Sequence, residues 1–212
     1  MKSEALMRRA APLLGALAAA TLMSACAPLL LGGAVVGTGL VATDRRTTGM
    51  QIEDEGIELR AASRIRELAT LGQVSVTSYN RMVLLTGEVP GVPERAAVEA
   101  AVAKVENVRS VVNEIVVAPN SSFSSRSADG VLSTKVKATL VDAKDIQANA
   151  FKVTCERRVV YLMGRVTERE ANRASDIARG VSGVTKVVRV FEIVSEGELA
   201  EIQTRAPAPP KP

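Results

Sequence analysis

The chain has 212 residues and a net charge of +4, with 47% hydrophobic residues, 2% aromatic residues, no Trp and no His. The lack of histidine excludes Ser-His-Asp triads, histidine general bases and histidine metal ligands, and nothing in the chain calls for a cofactor or metal. Three basic residues and one acidic residue fall in the first 25 positions, leaving about +2 for the remainder. That charge, with so few rings for base stacking, argues against nucleic acid as a partner.

Lys2, Arg8 and Arg9 precede an apolar run from Ala10 to Met23, which ends in Ser24-Ala25-Cys26. A charged start, a short apolar segment and small residues at a cut site describe a secretory signal. The cysteine just past the small residues makes it resemble a bacterial lipoprotein signal, with Met23 where Leu is usual. The resemblance implies removal of residues 1–25 and acylation of Cys26 on its sulfur and its new amino group. Several acyl chains, each methylene stabilising insertion by about 0.8 kcal/mol, exceed the marginal hold of one chain. Ala27 follows where an aspartate would imply retention at the inner membrane, so the expected address is the outer membrane, facing the periplasm. The competing reading is an uncleaved membrane helix, since apolar character continues to Ala42 and about 20 residues suffice to span. Pro28 and glycines 32, 33, 37 and 39 interrupt that helix, so residues 26–50 are read as a Gly-rich tether.

Beyond the tether the chain repeats itself. Val74-Ser75-Val76-Thr77, Met82 to Val89, Glu94-Arg95-Ala96-Ala97 and Val105/Val108/Val111 recur as Phe151-Lys152-Val153-Thr154, Val159 to Val166, Glu168-Arg169-Glu170-Ala171 and Val181/Val184/Val187. Each copy reads as helix-strand-strand-helix-strand. In copy one (residues 51–118), Leu59, Ala62, Ile65 and Leu68 recur at helical spacing, and Gly72 ends the run. Tyr79-Asn80-Arg81 is a candidate hairpin turn without the favoured Asn-Gly pair. Met82 to Leu85 is continuously apolar, as in a central strand covered on both faces. Pro93 suits the start of a helix with an inner stripe of Val98, Ala101, Val102 and Val105. Val111 to Val117 is the last strand.

In copy two (residues 128–196), Leu132, Val136 and Leu140 mark the first helix. Thr167 with Glu170 forms a capping-box pattern, ahead of a stripe of Ala171, Ala174, Ile177 and Ala178. Val187 to Val194 is the last strand. Gly87 and Gly164 each follow the second strand where the chain leaves for a crossover helix, a place that favours close backbone approach. A right-handed crossover makes the outer pair parallel. The expected fold is therefore α+β: two tandem modules, each a three-stranded mixed sheet with two helices on one face. A module of roughly 65 residues has a marginal core on its own, so the two are expected to pack together. Residues 119–127, polar and serine-rich, read as a mobile linker, and residues 197–212 as a disordered Pro-rich tail. With Cys26 acylated, Cys155 has no partner within the chain. Its alternation with Val153 and Phe151 reads as a small apolar residue on a buried strand face.

The spacing of Val74/Val76, Leu85/Gly87/Val89 and Val108/Val111, repeated as Val153, Leu162/Gly164/Val166 and Val184/Val187, resembles the BON domain. Two such modules behind an acylated cysteine are similar to the dual-BON outer-membrane lipoproteins. The resemblance implies a non-enzymatic role in outer-membrane integrity and binding of anionic phospholipid by the first helix of the second module. That helix runs from about Val131 to Val141 here. Val131, Thr134, Lys135, Ala138 and Val141 fall opposite its core stripe, with Lys137 and Lys144 nearby. Family members often carry a bulky aromatic where Val131 stands. The alternative role is a scaffold that docks an envelope protein partner. Catalysis has no support, because Glu168 and Glu170 sit at a helix start that favours acids in any case and no nucleophile-base set accompanies them.

Overall fold

A computed structural model describes residues 44–68 and 72–205. The signal, Cys26, the tether up to residue 43 and the tail from residue 206 lie outside the described residues. In the first module, α1 (Thr48–Leu68) leads to β1 (Gln73–Tyr79), β2 (Met82–Val89), α2 (Val92–Val102), β3 (Ser110–Asn113) and the short β4 (Val116–Val117). The second follows with α3 (Phe123–Asp142), a 3₁₀ turn at Ala148–Ala150, β5 (Lys152–Glu156), β6 (Val159–Val166), α4 (Glu168–Gly180), β7 (Lys186–Ile193) and α5 (Glu196–Arg205). Among the described residues no helix is long and apolar enough to cross a membrane.

In both sheets the apolar strand is central. β2 pairs antiparallel with β1 and parallel with β3 and β4; β6 pairs antiparallel with β5 and parallel with β7. Side chains alternate between faces along each strand. Val83, Leu85 and Val89 meet Ile57, Ala61, Ile65, Val98 and Val102 of the covering helices. Val153, Val160 and Leu162 meet Val136, Leu140, Ala171, Ala174 and Ala178. The opposite faces join each other: Tyr79 and Leu84 of the first sheet pack with Tyr161, Met163 and Val190 of the second. The modules therefore form one folded body, as their small individual cores require.

A carboxylate on the first helix of each module closes the hairpin beside it. Asn80 and Arg81 have φ of 51° and 67°, and Arg157 and Arg158 have 50° and 62°, the positive values of a tight I′ turn. Their amides donate at 2.8 Å each to Asp54, and at 2.8 and 2.9 Å to Asp129. The Ser78 hydroxyl donates to Asp54 at 2.7 Å, and the Cys155 thiol takes the same place at Asp129, 3.6 Å away. Burial favours the neutral form of Asp54, but the bonds from Arg81, Ser78, Arg46 and Asn80 outweigh it and hold the carboxyl below its ordinary range.

Several boundaries differ from the sequence reading. α1 begins inside the segment read as tether. Its buried stripe is Asp54, Ile57, Ala61 and Ile65, while Leu59 is 73% exposed. A purely apolar pattern cannot register Asp54 as a core position, and the phase shifts. The linker 119–127 is not mobile chain beyond Ser122. Ser122 caps α3 by accepting from the Ser125 amide at 3.2 Å, Ser121 donates to Glu88, and Arg126 donates to Gln73 at 2.5 Å. Residues 197–205 of the expected disordered tail belong to α5, started by reciprocal bonds between Ser195 and Glu198 and seated by buried Leu199. The last strand of the first module is split by Glu114 and Ile115, the latter turning into the core.

Two adjacent arginines take one module each. The Arg45 guanidinium donates to both oxygens of Glu170, at 2.8 and 2.7 Å, and to the Arg165 carbonyl at 2.8 Å. Glu170 also accepts the Thr167 amide in the α4 capping box. Arg46 pairs with Asp54 and Asp44 at 2.8 Å and lies 4.2 Å over the Tyr79 ring. Arg45→Ala leaves a buried carboxylate without its fork and is expected to cost about 3 to 5 kcal/mol, read from urea unfolding; a cost below about 1 kcal/mol sinks this role. Gly87 has φ +111°, and a Cβ there would lie 2.0 Å from the Gln73 carbonyl oxygen; at Gly164 it would lie 2.4 Å from that of Ala150. Gly87→Ala is expected to destabilise the protein by on the order of 3 kcal/mol, visible as a lowered melting temperature.

Candidate functional site

The α3 helix has two clearly different sides. Asp129, Leu132, Val136 and Leu140 point into the second module. Val131, Thr134, Lys135, Ala138 and Val141 are all exposed on the other side, with Val131 57% and Val141 66% accessible. The structure thus brings all five expected positions onto one continuous surface. The Thr134 hydroxyl turns back to donate to the Gly130 carbonyl at 3.0 Å, which uses its donor within the helix.

Charge on this side is one-signed over most of its length. Lys135 and Lys137 are exposed, and neither has an acidic partner among the described residues. Asp142, at the C-terminal end of α3, is the exposed acid of the helix. An open groove of about 610 Å³ separates α3 from α4, and Lys135, Ala138, Thr139, Arg173, Ile177 and Val181 are among its lining residues. Arg173 pairs with Asp145 at 2.6 Å, and Arg179 with Asp176 at the same distance. Arg173 and Arg179 of α4 are therefore matched by carboxylates and Arg169 donates to the Asp145 carbonyl at 3.2 Å, whereas Lys135 and Lys137 of α3 have no acidic partner among the described residues.

Cys155 is half-buried and packs against the core of the second module. Burial pushes its thiol up to about 12, helped by the neighbouring Asp129 carboxylate, so it stays protonated and acts as a small core residue. Burial also raises Glu156, next to Glu88 and Asp129, to about 7. Among the described residues no cluster of acidic or cysteine side chains is placed to hold a metal ion.

The sequence reading missed part of this surface. Phe123, left in the linker, is the first residue of α3 and is 79% exposed. Ser122, an N-cap residue type directly before it, is the local signal that marks the true start of the helix. Arg173 and Ile177 on the far wall of the groove have no local signal, because only the packing of α4 beside α3 brings them near Lys135.

A model of the BON domain matches residues 54–119 and again residues 128–195. These ranges coincide with the two modules and cover more than half of the sequence, and the chain belongs to the BON-domain family, a family of non-enzymatic envelope proteins. It is similar to the outer membrane lipoprotein DolP of Haemophilus influenzae, 39% identical over 189 residues that span 88% of this chain and 96% of that protein. It is also similar to the 21 kDa hemolysin of Actinobacillus pleuropneumoniae, at 31% identity over 71% of this chain and 79% of that one. A shorter stretch of 60 residues, 28% of this chain, is 40% identical to 30% of the osmotically-inducible protein Y of Escherichia coli.

Proposed function

We propose that this protein is an outer-membrane lipoprotein, acylated at Cys26 and facing the periplasm, which binds anionic phospholipid through α3 of its second BON module and so supports the integrity of the membrane. The observation that carries the reading is the outward side of α3: exposed valines and small residues bordered by lysines that no acid neutralises among the described residues. A helix with this layout lies in the interface plane, its apolar strip at the boundary between headgroups and acyl chains. Lysine stems extend along that boundary and keep their ammonium groups at the phosphates. The likeness to DolP, whose name places it in the outer membrane, supports the address. The lipoprotein signal layout ending at Cys26 supports the anchor.

Attraction to an anionic surface contributes about 1 kcal/mol per basic residue, and a shallowly buried valine adds about 1.5 kcal/mol. A Val131→Glu/Lys135→Glu double variant of residues 44–205 is expected to lose at least tenfold in co-sedimentation with phosphatidylglycerol vesicles while keeping its melting temperature, since both positions are exposed. Binding by the unaltered fragment is expected to weaken in 1 M salt, where the Debye length is about 3 Å. Undiminished binding by the double variant with an intact melt moves the site off α3 and favours docking to a protein partner.

For the anchor, intact mass of the membrane-extracted protein is expected to show loss of residues 1–25 and added acyl mass, and Cys26→Ser to accumulate as precursor. Recovery of chains that still begin at Met1 sinks it.

A further inference from the structure

We propose that Phe123 is an aromatic membrane anchor of this chain, and that α3 lies flat on an anionic bilayer over its whole length, from Phe123 to Val141. The proposal rests on the phospholipid-binding reading of α3 and extends the contact toward the N-terminus of the helix.

At about 100° per residue, Phe123 and Val141 are about five full turns apart and fall on one meridian of the helix. Ser127, Gly130, Thr134 and Ala138 lie within about 60° of that meridian, and Lys137 lies about 40° from it on the side away from Val131. Leu132, Val136 and Leu140, buried in the core, lie roughly opposite. Lys137 lies about 40° to one side of the meridian and Lys135 about 120° to the other, beyond Val131 at about 80°, so that their stems can follow the surface from both borders. The helix is about 30 Å long. Its exposed large side chains thus stand at its two ends and at Val131 between them, with cations along both borders. Among the exposed large hydrophobics of the described residues, Phe123 is the most accessible, at 79%.

Phe123 is also held in place before any membrane arrives. Ser122 caps the first turn. Arg126 donates to Gln73 and to the Ser121 carbonyl at 2.5 Å each, and Ser121 donates to the buried Glu88 of the first module. Seating the ring therefore requires no ordering of a loop. Charge selects the occupant: the strip borders are basic with no acidic partner among the described residues, which fits a phosphate-rich surface.

The chain has no Trp, so Phe123→Trp and Val131→Trp each give a single indole reporter at an exposed position. The full acylated chain carrying either change is reconstituted into phosphatidylglycerol vesicles with brominated acyl chains. Quenching and a blue shift of both reporters, lost or at least about tenfold weaker in phosphatidylcholine, is the expected result. Quenching of the reporter at position 131 with water-like emission from the one at position 123 overturns the Phe123 anchor and leaves the phospholipid-binding reading standing. Water-like emission from both overturns both and assigns the surface to a protein partner. Equal quenching in the two lipids overturns the anionic selectivity. As a second arm, Phe123→Ser in the fragment of residues 44–205 is expected to reduce phosphatidylglycerol co-sedimentation about tenfold with an unchanged melt, and full retention of binding overturns the anchor.

Discussion

A sheet whose central strand carries large apolar side chains on both faces has two faces to remove from water and only two helices with which to do it. In this protein the helices of each module cover one face, and the other module's sheet covers the second. Tyr79, Leu84, Tyr161 and Met163, each 4% exposed or less, are the residues where that requirement is met. Everything else about the body follows from it. The modules cannot separate without wetting this shared layer, so the duplication yields one unit and leaves the helices outermost. The outer side of α3 is available to a partner because the inner faces of both sheets have already found each other.

Around this apolar layer runs a polar seam that fixes how the two sheets meet. Glu192 on β7 receives Asn80 and Arg109 of the first module; Lys152 reaches Glu58; Arg157 reaches the buried Glu88. Apolar contact between sheets is non-directional, whereas these bonds are satisfied in one orientation only. The paired arginines at the start of the body belong to the same seam. Arg45 closes on the second module and Arg46 on the first, so the first described residues bridge the two modules. A fragment that starts at residue 48 loses both arginines and leaves the Glu170 and Asp54 carboxylates short of their cationic partners.

The surface proposed to meet lipid inherits its shape from this arrangement. α3 answers two demands: one side completes the core of the second module, and its first turn is tied to the first module through Ser121 and Arg126. A helix held in this way presents its remaining side as a rigid strip. That rigidity suits the bilayer contact proposed for it, because binding energy is not spent on ordering the protein. Arg173 and Arg179 of α4 are matched by Asp145 and Asp176. On α3, Lys135 and Lys137 have no acidic partner among the described residues and stand next to its exposed apolar residues.

The sequence by itself determined the duplication, the capping box at Thr167 and Glu170, the core stripe of Leu132, Val136 and Leu140, and the need for close backbone approach at Gly87 and Gly164, although both glycines lie within β2 and β6 and not after them. These are local: each depends on neighbours within a turn of helix or a single strand, and apolar periodicity records them directly. The tertiary structure alone decided the rest. Asp54 and Asp129 are core residues because hairpin amides far along the chain need acceptors, and that shifted the stripe of α1 away from Leu59. The start of α3 has a local signal in Ser122, but the tie of its first turn to Glu88 and Gln73 of the other module has none. Leu199 seats a helix in what composition reads as tail because a packed surface exists for it to cover. Arg45 and Glu170 meet across more than half the chain, and charge complementarity at such separation leaves no trace in spacing; only the folded backbone brings the two groups to the same place.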